Sequence, residues 1–133
     1  MTSHGRRSKN DPFWSDLKNK VKSRDRSCRL MKVLTAKEAL LLIKGGGPLS
    51  VLDPAHVFGS GPFPHMVYDT DNVVLLNRVA HDRLDTFKDP ITGKPITKEE
   101  HTVWWKRIVG EKIYESLEIK SKNQGDNDAF RTN

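Results

Sequence analysis

Between Leu49 and Phe87 two short apolar runs bracket a loop crowded with chain breakers, and a capped helix follows directly. Leu49 to Phe58 (LSVLDPAHVF) reads as a strand, and Pro54 inside it restricts that strand to a sheet edge or a bulge. Gly59, Gly61, Pro62 and Pro64 exclude regular structure from the loop. Asn72 to Leu76 (NVVLL) is a β-branched run, and Asn77 stands where a helix from Arg78 to about Phe87 needs its N-cap. The order is strand, loop, strand, helix.

Helices are expected on both sides of this unit. Asp11 caps a helix over about 12–24 with Pro12 in its first position, and Phe13, Trp14, Leu17 and Val21 recur at helical spacing. Thr35 and Glu38 form a capping box ahead of Ala39 to Ile43, and Gly45, Gly46 and Gly47 end that helix as a turn. Asp89 to Pro95 (DPITGKP) is a turn or a small hairpin. Thr97 and Glu100 box a helix through Val109, Gly110 interrupts it, and Ile113, Tyr114, Leu117 and Ile119 outline a last short helix. The expected organisation is a disordered basic arm over 1–11, one domain over 12–119 and a disordered tail over 120–133.

Charge is distributed unevenly. Residues 1–34 hold ten Lys/Arg against three Asp/Glu, a balance of +7, whereas 35–133 come to −1. Lys18, Lys22, Arg24 and Arg26 fall in the basic third and are expected to meet the phosphates of DNA. Residues 48–77 carry no Lys or Arg but contain Asp53, Asp69, Asp71, His56 and His65, the composition of a cation site facing a polyanion. Cys28 is the single cysteine, which excludes an intramolecular disulfide and fits a reducing, cytoplasmic setting. No apolar stretch approaches the roughly 18–20 residues of a membrane span, so no membrane partner is expected.

His56 closes the first strand, Asn72 begins the second, and His81 lies one turn into the helix. In Asp53-Pro-Ala-His56, Asp71-Asn72-Val-Val-Leu-Leu and Asn77-Arg-Val-Ala-His81-Asp-Arg-Leu-Asp85 the chain resembles the HNH endonucleases of phages and prophages. The segments Arg24-Asp25-x-x-x-Cys28-x-x-Met31 and His101-x-x-Trp104-Trp105 look like the flanks of those proteins, so the resemblance covers about 12–119. It implies a ββα-metal (His-Me finger) core with flanking helices, and a metal-dependent enzyme that cuts or nicks DNA, double-stranded in the first instance.

The resemblance assigns His56 as general base and Asn72 as the residue that anchors the loop and orients the base, although in some members that position touches the metal. One divalent ion, Mg²⁺ first and Mn²⁺, Ni²⁺ or Zn²⁺ as alternatives, would be held by His81 and Asp85, with Asp53 as third candidate. His81 and Asp85 share a helix face at i,i+4, whereas Asp53, three residues before His56, needs a bulge at Pro54 to face the same way. Arg78 reads equally as a phosphate contact or an exposed helix arginine.

Two departures shape these expectations. The four places of the family's zinc knuckle are Cys28, Met31, Asn77 and Ala80, which cannot make a structural zinc site. Ala55 stands where many members carry a metal ligand, which favours the competing reading, a phage DNA-binding or assembly protein that keeps the scaffold without cleavage; a nuclease acting on RNA is a third. Phage packaging or recombination proteins are the partners the resemblance implies. Of the remaining histidines, His65 is expected on an exposed loop and His101 on the surface. One of the adjacent Trp104 and Trp105 is expected in the core, and the other at the cleft or a partner.

Overall fold

The computed structural model describes residues 11–45 and 51–123. In chain order these form α1 (Pro12–Asp25), α2 (Ala36–Lys44), β1 (Leu52–His56), β2 (Val73–Asn77), α3 (Arg78–Asp85), α4 (Lys98–Val109) and α5 (Glu111–Lys122). The architecture is α+β, with one two-stranded antiparallel sheet among the described residues. The arm over 1–10, the glycines 46 and 47, the start of the expected strand at 49 and 50, and the tail from 124 lie outside the described residues. Residues 120–122, expected in the tail, continue α5 instead.

Capping chemistry sets the helix ends. The Asp11 carboxylate accepts from the Phe13 and Trp14 amides, and both Thr–Glu capping boxes, 35/38 and 97/100, are closed in both directions. Each satisfies amides that a first helical turn leaves without partners. Gly110, at φ 92, separates α4 from α5 in a backbone region that only glycine enters without strain.

The hairpin register is continuous: Leu52 opposes Asn77, Asp53 opposes Leu76, Pro54 opposes Leu75, Ala55 opposes Val74 and His56 opposes Val73. No bulge accompanies Pro54, whose missing N–H is tolerated because β1 has β2 on one side only. Residues of β1 therefore alternate strictly between the two sheet faces. Pro54 and His56 share a face with Val73 and Leu75, while Asp53 and Ala55 share the other with Val74 and Leu76.

Every residue of β2 is buried, because both of its faces are covered. Leu17 and Val21 of α1 pack on Val73 and Leu75, with Trp14 and Leu52 at the margin. The larger core lies on the opposite face, where Val74, Leu76 and Ala55 meet Leu30, Leu42, Leu84, Trp105, Ile108 and Leu117. Burial of each Val or Leu of β2 contributes about 1.5–3 kcal/mol, so the strand is the common wall of two cores.

Buried polar groups fasten the layers. Asp25, at 1% exposure, accepts from Arg24 Nε (2.7 Å) and Nη2 (3.0 Å), from Arg29 Nη1 (3.0 Å) and from the Leu75 amide (2.9 Å). Burial alone would raise the Asp25 carboxyl pKa; the hydrogen bonds from Arg24, Leu75 and Arg29 outweigh it and hold the group below the ordinary range. Cys28 Sγ accepts from the Asn77 amide at 3.2 Å and from its Nδ2 at 3.5 Å. Met31 and Ala80 pack into the main core beside Cys28. Apolar burial and weak sulfur hydrogen bonds brace this corner.

Candidate functional site

His56 and His81 face one cleft. His56 comes from the last position of β1 and His81 from the first turn of α3, and with Trp14, Pro54, Gly59, Ser60 and Asp85 they line a cavity of about 300 Å³. The tight order β1, loop, β2, α3 delivers both imidazoles, since Asn77 ends β2 and caps α3 in one residue through Oδ1 to the Ala80 amide (2.9 Å).

The His56 ring is held on two sides. Its Nε2 lies 3.0 Å from the Val67 carbonyl, which can only accept, so Nε2 carries the proton of the neutral ring and Nδ1 is the basic nitrogen. Trp14 stacks on the ring with centroids 5.5 Å apart and planes 15° from parallel. Sequence reasoning placed Trp14 on an apolar helix face and missed this contact, for which no local pattern exists.

Asn72 is fully buried and works as a staple. Its Oδ1 accepts from the Phe58 amide (2.8 Å), and its Nδ2 donates to the carbonyls of Phe58 (3.0 Å) and Met66 (3.1 Å). The Val57 amide bonds the Asn72 main-chain carbonyl at 2.8 Å, so the backbone extends the hairpin ladder by one residue past His56. Arg24 secures the same turn from outside, donating Nη1 to the Thr70 carbonyl (2.8 Å) and Nη2 to that of Val73 (2.6 Å).

His81 stands between two carboxylates, one on each ring nitrogen. Asp85 Oδ2 lies 3.2 Å from Nε2, and Asp53 Oδ2 lies 3.4 Å from Nδ1. Asp85 first, then Asp53, raises the His81 pKa against the lowering effect of burial. Asp53 also forms a two-pronged pair with Arg78, Nε to Oδ2 and Nη2 to Oδ1 at 3.1 Å each. That pairing, followed by the His81 contact and against burial, lowers the Asp53 pKa.

The expectation for Asp53 as third metal ligand depended on a bulge at Pro54, and the register there is continuous. Without a bulge its carboxylate leaves the sheet on the α3 face, opposite His56, and meets the Nδ1 side of His81 rather than the Nε2 side that Asp85 shares. Ala55, on the same face, is 1% exposed against Val74 and supplies no donor. Among the described residues no group of three or more His, Cys, Asp or Glu side chains is arranged as a metal site. The donors that converge are two, His81 Nε2 and Asp85.

The basic residues divide. Lys22 and Arg26 are exposed and Lys18 is half-buried on α1, while Arg24 is bonded to Asp25 and to two backbone carbonyls and serves the fold. Arg78 is largely exposed but paired with Asp53. His65, expected on an exposed loop, is half-buried with Nε2 at 3.0 Å from the Lys120 carbonyl. His101, expected on the surface, bonds the Leu84 carbonyl through Nε2 at 2.8 Å, and burial lowers its pKa. Trp105 is core, and Trp104 lies under the Arg107 guanidinium, 4.9 Å from the ring centre.

No family model, curated protein or solved structure matches this chain.

Proposed function

We propose that the protein is a divalent-metal-dependent DNA endonuclease with a ββα-metal core formed by β1, β2 and α3. The observation that carries this reading is the shared cleft: the strand imidazole whose tautomer is fixed by Val67 and the helix imidazole–carboxylate pair open on the same 300 Å³ space.

His56 is the general base. With its proton on Nε2, the ring would take a proton from water at Nδ1, the part a neutral imidazole plays in general-base catalysis. Val67 and Asn72 keep the ring in register, the first by the direct hydrogen bond and the second by fixing residues 58 and 66 on either side of the loop. Trp14 restricts the ring from the α1 side.

The donor set suits a hard cation that retains most of its water. His81 Nε2 and Asp85 Oδ2, 3.2 Å apart, have the spacing of two neighbouring ligands on one ion, and Asp53 on Nδ1 plays the part of the carboxylate that orients a ligating histidine. Mg²⁺ and Mn²⁺ accept so few protein groups, whereas a structural zinc does not. Bound there, a divalent ion would supply charge stabilisation to a phosphate and its leaving oxygen. Exposed Lys22 and Arg26, with Lys18, add attraction for the phosphate backbone.

Supercoiled plasmid incubated with Mg²⁺, Mn²⁺, Ni²⁺ or EDTA tests the reading. Nicking that requires the cation supports it. Retardation of DNA with no cutting under any of the metals supports the competing reading, a DNA-binding or assembly protein on the same scaffold, which the buried Ala55 favours.

A further inference from the structure

Past Gly59 and Asp85 the cleft opens into a larger groove of about 610 Å³, and His56, Gly59 and Asp85 line both parts. Its walls are aromatic, with Phe58, Phe63, Phe87, His101, Trp105 and Tyr114 contributing. Phe87 stands out among them, since it is 42% exposed and stacks on His101 with centroids 3.9 Å apart and planes at 17°.

The backbone pays for that display. Phe87 has φ 54, a left-handed conformation that a bulky residue rarely takes. Its amide bonds the Leu84 carbonyl (3.2 Å) and its carbonyl accepts from Ile96 (3.0 Å), so the strained residue is pinned on both sides. His101 is fixed by the same Leu84 carbonyl, and its burial favours the neutral ring. An uncharged, immobilised ring pair with one face at a groove is a stacking platform. Lys98 and Lys122 at the groove, alongside Asp85 and Glu118, provide cations suited to a phosphate strand entering it.

We infer that this groove stacks an unpaired nucleobase of the strand whose phosphate lies at His56. The inference rests on the nuclease reading and narrows its substrate. A base inside an intact duplex is not available to an aromatic groove, so occupancy requires a single-stranded, flipped or mispaired position beside the phosphate. The groove's continuity with the cleft selects a nucleobase over an unrelated apolar ligand, because one strand can occupy both parts at once.

The test is equilibrium binding of the whole protein in EDTA to two DNAs carrying 2-aminopurine, one fully paired and one with the probe base unpaired. The unpaired DNA is expected to bind about tenfold more tightly, with probe fluorescence quenched by stacking. Phe87→Asn removes the ring while tolerating the left-handed backbone, and should abolish both the preference and the quenching while paired DNA binds as before. Lys98→Glu, at a helix start where an acidic residue is favourable, should weaken binding of the unpaired DNA. Equal affinities for the two DNAs, or a preference and quenching that persist in Phe87→Asn, would overturn the inference. Plasmid nicking reads the underlying activity separately: cation-dependent nicking without any unpaired-base preference sinks this inference alone, whereas a Phe87-dependent preference without nicking upholds the groove and sinks the nuclease.

Discussion

His81 has both ring nitrogens against carboxylates, and this decides how the site responds to pH. Asp85, then Asp53, raises its pKa, so the folded state holds a proton there that the unfolded chain releases near the ordinary value of about 6.5. The stabilisation from this pairing is complete below that value and disappears as pH climbs through the raised folded pKa. Thermal unfolding of the wild type and Asp85→Asn should therefore differ most on the acid side and converge at alkaline pH. If the proposed metal site holds, divalent-ion affinity should run the other way, rising with pH as the proton leaves Nε2, and Asp85→Asn should lower it throughout; calorimetric titration with Mn²⁺ at several pH values checks both directions. Asn72 makes the second residue-scale prediction. Its buried amide satisfies three backbone groups, so Asn72→Ala should cost about 2–4 kcal/mol in denaturant unfolding. A change that left stability intact would remove the staple from the account.

At the level of elements, β2 is the strand on which both cores depend, and the Asp25 network is what fastens α1 to it. Removing the buried carboxylate leaves the Leu75 amide without its acceptor and strips one acceptor from each of two guanidinium groups. Asp25→Ala should destabilise by about 3 kcal/mol or more in chemical denaturation. Trp14 would then lose its seat over His56, since α1 carries both Trp14 and Asp25. The helices were legible in the sequence because caps are local: Asp11, Thr35, Asn77 and Thr97 stand at the N-caps where expected. The hairpin was legible too, yet the consequence of Pro54 was not. A proline permits either an edge position or a bulge, and only the observed pairing of Asp53 with Leu76 decides that Asp53 turns toward α3. The roles of Arg24 and His65 were equally hidden, because their acceptors lie 46 and 55 residues away along the chain.

Over the whole molecule, the net charge of +6 is concentrated in the first quarter of the chain, while Asp85 lines the cleft beside His56 and His81. Under the proposed reading, this charge distribution would suit a polyanion. Lys18 and Lys22 belong to that surface, and replacing both by Ala should reduce the slope of log affinity against log salt by about 1–2. An unchanged slope would remove α1 from the DNA contact. The division of labour between the two cleft histidines is the central claim, and the nicking rate of His56→Ala at saturating Mn²⁺ examines it most directly. The rate should fall about 10²–10⁴-fold with Mn²⁺ affinity unchanged, because His81 and Asp85 remain. Nicking at the wild-type rate in His56→Ala would contradict it.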